Sequence, residues 1–216
     1  MDETEVSLHV SSVYNLMLSM ICAYGVGIYA TTFLLQHIST VMILSTITSF
    51  IFLFSVMFSK EEPKRYILSL LFGCTLGLNS GYVVQYANQI DRSILPLSLL
   101  FTLGIFLIFS QAAKNVGQQS MALLHGYLFS ALWGLLIGGF IMMLAPQTFA
   151  GLQVLYSVVG VLVFCGFITY DTALMYSRIR KGETDHYMHA LNLFLDIVNI
   201  FLDIIRILLK IFGKKE

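Results

Sequence analysis

Charge is scarce in this chain: 11% of its 216 residues are Asp, Glu, Lys or Arg, less than half of the roughly 25% usual in water-soluble domains. A globule of this length could not cover its surface with so few polar groups, and a mean hydropathy of +0.83 points the same way. The sequence therefore reads as an integral membrane protein. Neither sign of charge is in excess, with 12 basic against 12 acidic residues. Nothing is left over to neutralise a phosphate backbone, which argues against nucleic acid as a partner. Cysteine is equally sparse. Cys22, Cys74 and Cys165 are odd in number and lie inside apolar runs, so they read as small packing residues rather than a disulfide framework.

What is abundant is long apolar sequence. A membrane-spanning helix needs about 20 mostly apolar residues, and seven stretches qualify: Ser11 to Leu35, Val41 to Phe58, Tyr66 to Ala87, Ser93 to Ala113, Met121 to Leu144, Phe149 to Ser177 and Tyr187 to Phe212. Short polar punctuation separates them, and no segment is long enough for a separate soluble domain. The fold class expected is all-α, an integral membrane bundle of seven helices. It comprises an acidic tail over 1–10, a transmembrane domain over 11–212 and a short basic tail over 213–216. The first ten residues lack the basic region of a cleaved signal peptide, so the first helix is expected to remain in the mature protein.

Lys and Arg set the orientation, because cytoplasmic loops retain them. Loops on the N-terminal side hold Lys60, Lys64, Arg65, Lys114, Arg178, Arg180 and Lys181, whereas the opposite loops hold Arg92. The N-terminus is expected in the cytoplasm. Charge leaves the seventh segment open between a full span and a re-entrant hairpin, although its length of about 39 Å favours a span. Gly73, Gly77 and Gly81 in the third segment, and Gly134 and Gly138 in the fifth, have the four-residue spacing that lets helices approach closely in lipid.

Ionisable groups at membrane depth are costly unless paired or hydrated, so they are the informative ones. They are Asp171, Asp196, Asp203 and Arg206. In the seventh segment His189, Asn192, Asp196, Asn199, Asp203, Arg206 and Lys210 alternate at spacings of three and four, which makes one polar stripe along a helix. A helix facing lipid all round could not hold it. Asp171 lies about 9 Å, and Asp196 about 13 Å, from the shared cytoplasmic end of two consecutive antiparallel helices. Two carboxylates at close range in a low dielectric cannot both stay ionised cheaply, so the pair is expected to share a proton or attract a divalent cation. Each could instead bond a neighbouring hydroxyl or Asn and only hold the bundle together. Asp203 is expected to be neutralised by Arg206, three residues on.

The run GFITYDTALMYSRIRKGETDHYMHALNLFLDIVNIF, Gly166 to Phe201, resembles the transmembrane Bax inhibitor motif family, as do SILP at Ser93 to Pro96 and KRYILSLLFGCTLGL from Lys64. The resemblance is closest to the Bax inhibitor-1 branch and covers most of the chain after about Ser11. It implies a central seventh helix surrounded by the other six, and a calcium leak controlled by a pH-sensing pair at Asp171 and Asp196. The partners it implies are calcium as the permeant and transiently bound ion, protons, membrane lipid and cell-death regulatory membrane proteins. No cofactor and no enzymatic activity are expected. In a eukaryote it implies the endoplasmic reticulum membrane and suppression of stress-induced cell death; in a bacterium, the plasma membrane. Some bacterial members latch the pair with an arginine at the end of the second helix. Here Lys60 stands near that point, supplying charge without the bidentate fork. A second departure is Asn192, where some relatives carry an acidic residue.

Rival chemistries fit less of the chain. Tyr170 and Asp171 match half of an intramembrane aspartyl protease, but Leu193, Phe194 and Leu195 precede Asp196 where glycines should stand. His125, His186 and His189 lie toward one end, yet no further zinc-ligand motif accompanies them, and His9 and His37 read as terminal or loop residues without partners. A proton-coupled cation exchanger and a non-conducting scaffold remain open, the former suited to the shared proton and the latter to a stripe used only for assembly.

Overall fold

The computed structural model describes residues 3–34, 38–183 and 185–213. His37, half of the expected first loop and the basic tail at 214–216 lie outside the described residues. The described chain forms seven α-helices, α1 (Glu3–Leu34), α2 (Ile38–Phe58), α3 (Glu62–Ile90), α4 (Ile94–Ala112), α5 (Gln118–Leu144), α6 (Gln153–Arg180) and α7 (His186–Phe212), with a short 3-10 turn at Ala113–Asn115. No strand occurs among the described residues.

Several ends differ from expectation for local reasons. Helix α1 begins at Glu3 rather than near Ser11, with Glu5 in its first turn, where the helix dipole favours negative charge. Helix α3 begins at Glu62, four residues before Tyr66, and contains Pro63. Proline is tolerated there because a first-turn N–H has no intrahelical acceptor to lose. Helix α6 starts at Gln153 because Phe149 to Leu152 form turns. Its other end is closed by Gly182 at φ +87°, where Gly182 N–H donates to Ile179 O and Glu183 N–H to Arg178 O, both near 3 Å. That is the glycine-closed helix end in which two orphan carbonyls find donors. Asp185 then starts α7, its Oδ1 accepting from the backbone N–H of Tyr187 at 3.1 Å and of Met188 at 3.4 Å.

The helices α1 to α6 are each long and apolar enough to cross a membrane. Their outward side chains include Phe50, Ile51, Phe54, Phe101, Phe129, Trp133 and Ile137, all more than half or about half exposed. So large an apolar surface fits lipid and not water. The chain is a multi-pass helical membrane protein. Helix α7 is not among those six, although its 27 residues match their length.

The chain divides into two compact units, residues 1–89 with 178–194, and residues 90–177 with 195–216. In the first, α1 and α3 meet along glycines: a Cβ at Gly27 would strike the Cys74 carbonyl, one at Gly73 the Met20 carbonyl, and one at Gly77 the Tyr24 carbonyl. Across α2 and α3, Ser49 Oγ donates to Thr75 Oγ1 at 3.0 Å, and Asn79 donates to Thr46 Oγ1. Tyr24 and Phe72 both meet Phe194 edge-on at about 6 Å. In the second unit Leu128, Leu135 and Val163 form an apolar cluster, and Tyr156 Oη donates to Leu135 O at 2.7 Å. Gly138 packs under the Tyr156 ring, whereas nothing stands near Gly134, so the expected fifth-helix ridge is used at one of its two glycines. All three cysteines are free, as their placement implied.

The two glycine classes should respond differently to a methyl group. Gly77→Ala should cost about 1–3 kcal/mol of unfolding free energy by overpacking, read as a lower denaturation midpoint of the purified protein in detergent. Gly134→Ala should stay within about 0.5 kcal/mol of the parent, having open space to enter.

Candidate carboxylate site on the last two helices

The polar stripe of α7 is built as the spacing implied: His189, Asp196 and Asp203 are buried, Asn192 and Asn199 half-buried, and Arg206 and Lys210 exposed. Asp196 is 5% exposed and Asp203 4%; Asp171 on α6 is 9% exposed. Asp171 and Asp196 lie close enough for their carboxyl groups to act directly on each other. Oδ2 of Asp196 is buried and receives no N–H or O–H donor among the described residues. Two carboxylate oxygens can face each other in this way when a proton lies between them, because an ionised carboxylate only accepts. Helix α7 continues unbroken through Asp196.

Asp203 is held differently. Arg206 Nη1 donates to its Oδ1 at 2.7 Å, the i,i+3 pair anticipated from the stripe. Gly160 of α6 gives the carboxylate room that any Cβ would occupy. Asn199 Nδ2 donates to Leu195 O of its own helix at 2.9 Å, and Asn192 is half-buried. Lys60 stands exposed between α2 and α3 and forms no ion pair among the described residues.

The engaged cation of that region is Arg65. Its side chain is 11% exposed, its Nε donates to Val56 O and its Nη2 to Asp185 Oδ2, each at 2.9 Å, and its guanidinium lies 4.6 Å over the Tyr187 ring. Tyr187 Oη in turn donates to Glu62 Oε2 at 2.8 Å. The start of α3 is thereby tied to the start of α7, an arrangement the sequence analysis did not find. Its available signal was Asp185 itself, a helix-capping residue after a Gly-closed helix. Burial works to raise the Asp185 carboxyl, but the hydrogen bond and charge of Arg65, with the Met188 and Tyr187 N–H groups, outweigh it and hold it below the ordinary carboxylate value.

His9 was also missed. Its ring lies 6.0 Å from that of His186 and 6.2 Å from that of His189, both edge-on. His125 instead stacks on Tyr170 at 5.2 Å and on Phe129. Among the described residues no three His, Cys, Asp or Glu side chains converge as metal ligands.

A multi-pass helical membrane protein whose last two helices bring two aspartates together is the class defined here. The chain belongs to the family described as Inhibitor of apoptosis-promoting Bax1, which it matches over residues 6–214. Among its relatives, Bax inhibitor 1 of Mus musculus is 30% identical over 191 residues, covering 87% of this chain and 79% of the mouse protein. Bax inhibitor 1 of Homo sapiens is 28% identical over 183 residues, covering 82% and 75%. Bax inhibitor 1 of Drosophila melanogaster is 27% identical over 199 residues, covering 90% and 79%.

Because Asp185 is held below its ordinary value in the folded protein, its contribution is present above about pH 4 and is lost as pH falls further. Arg65→Gln should cost about 1 kcal/mol at neutral pH, since the partner carboxylate is half in solvent. Asp185→Asn should remove the acid-dependent part of that cost, as read in denaturation midpoints taken at about pH 7 and about pH 3.5.

Proposed function

We propose that this protein is a calcium leak of an intracellular membrane, gated by the proton held between Asp171 and Asp196, and that it acts in suppressing stress-induced cell death. The observation that supports it is the burial and close approach of the two carboxyl groups of that pair. With a shared proton the two groups are mutually satisfied and closed to cations. Without it they repel each other and attract a cation, so proton and calcium compete for the same oxygens. Calcium normally takes six to eight oxygens. Two aspartates cannot cage it, and binding at the pair is transient, as passage requires.

In this reading α7 is the central helix, wrapped by the other six. Its burial supports this: Leu193, Phe194, Ile200 and Ile205 are inaccessible on its apolar faces, while Asp196 and Asp203 are buried on its polar one. Asn192, Asn199 and the Asp203–Arg206 pair continue the pathway. The N-terminus faces the cytoplasm, following the distribution of Lys and Arg. Lys60, exposed and without an ion pair, is not needed for closure; Arg65, which fastens the start of α7, takes the role of keeping that helix in place. The protein acts without a cofactor and is not an enzyme. The cell-death role follows the names of the mouse and human relatives.

Calcium flux into liposomes containing the purified protein alone, read from about pH 5 to about pH 9, tests the reading. A pH-dependent flux is expected, and Asp171→Asn or Asp196→Asn should flatten that dependence, since either leaves one carboxylate with no partner to share a proton. Saturable flux coupled to proton movement would instead identify an exchanger. A folded protein that passes no calcium at any pH would leave the stripe as an assembly surface.

A further inference from the structure

We propose that His9, His186 and His189 form a proton-operated catch, which holds the N-terminal part of α1 against the start of α7 while the imidazoles are neutral and releases it when they charge. All three lie in the first compact unit, apart from the aspartate pair in residue content. The inference therefore goes beyond the leak reading and does not depend on it.

His9 Nε2 is buried and has no hydrogen-bond partner among the described residues. Its ring sits edge-on to two others at 6.0 and 6.2 Å, and His189 is 5% exposed. Neutral imidazoles tolerate this packing as small aromatic rings. Charged ones need counter-ions, and here the nearby carboxylates are already engaged. Asp185, which faces His9 and His189, is bonded to Arg65 at 2.9 Å. Glu183, which faces His189, lies 3.6 Å from Arg178. Arg178 itself acts on His189 as a like charge. The carboxylates that act on these rings, Asp185 and Glu183, are each already paired with an arginine, so a proton taken up by the histidines finds no free counter-charge in either of them. Protons therefore bind better when His9 has moved away from the other two rings. By linkage, acid favours that released state. Among the described residues these histidines belong to no group of three or more metal-ligating side chains.

Hydrogen exchange in lipid nanodiscs, corrected for intrinsic rates, tests the catch through peptides covering residues 4–20 and 183–192. From about pH 7.5 to about pH 5.5, exchange in both should accelerate about tenfold, the change that one unit of differential proton affinity produces. His9→Phe, which keeps a ring without a proton site, and His9→Gln should each reduce that acid response. The Asp171→Asn, Asp196→Asn double variant should keep it. In the unaltered protein the carbon-13 signals of labelled His9 and His189 should titrate over the same interval. The proposal is overturned if the parent shows no acid acceleration, if His9 and His189 do not titrate there, if His9→Phe responds like the parent, or if the aspartate double variant abolishes the response. The histidine titration needs no variant to fold, and so decides the matter alone if both His9 variants are unprotected at neutral pH.

Discussion

A charge placed in a medium of low dielectric must find a partner or give up its proton, and the last two helices are organised around that rule. Helix α7 carries more ionisable groups into the interior than any other element, and each has its own settlement. Asp196 meets Asp171 and Asp203 meets Arg206, while the neutral Asn199 turns back on its own backbone. The choice of residues on α6 follows from this. Gly160 is there because the Asp203 carboxylate occupies the space of a side chain. The apolar majority of α7 supplies packing against the neighbouring helices, while its minority of polar residues sets which neighbours are acceptable.

The chemistry of the two compact units is different in kind. One holds the two carboxylates that face each other and the Asp203–Arg206 pair; the other holds Arg65 and Arg178 with the carboxylates they engage, and the clustered histidines. Helix α7 contributes to both, through His186 and His189 before Phe194 and through Asp196, Asp203 and Arg206 after it. A single helix thus presents imidazole rings in its first turn and carboxylates further along, with Arg206 and Lys210 toward its end.

Much of this was legible in the sequence where the signal was periodic. The stripe on α7 announces itself by alternating spacings of three and four, and the meeting of Asp171 with Asp196 follows from equal depth on consecutive helices. The pair Asp203–Arg206 needs only the helical repeat. What was illegible depends on partners far apart in the chain. Arg65 and Asp185 are 120 positions apart, and no local pattern joins them. Lys60 drew attention because it stands near the end of the second helix, where the family resemblance implies a latching arginine; with α3 beginning at Glu62, Arg65 lies within the first turn of that helix. His9 was read as part of a tail because charge at a helix start resembles charge in a loop. Gly134 shares its spacing with glycines that pack, yet meets nothing, since spacing says which residues share a face and not what faces them.

The glycines joining α1 to α3 have a consequence for how this sequence can vary. Gly27, Gly73 and Gly77 sit against backbone, and backbone cannot retreat as a side chain can. The stretch with the least chemistry is therefore the one with the narrowest choice of residue: a hydrogen atom fits and a methyl does not. Lipid-facing Phe50 has room for other apolar side chains, so in this half of the chain the limit on side-chain size falls hardest on the smallest residues.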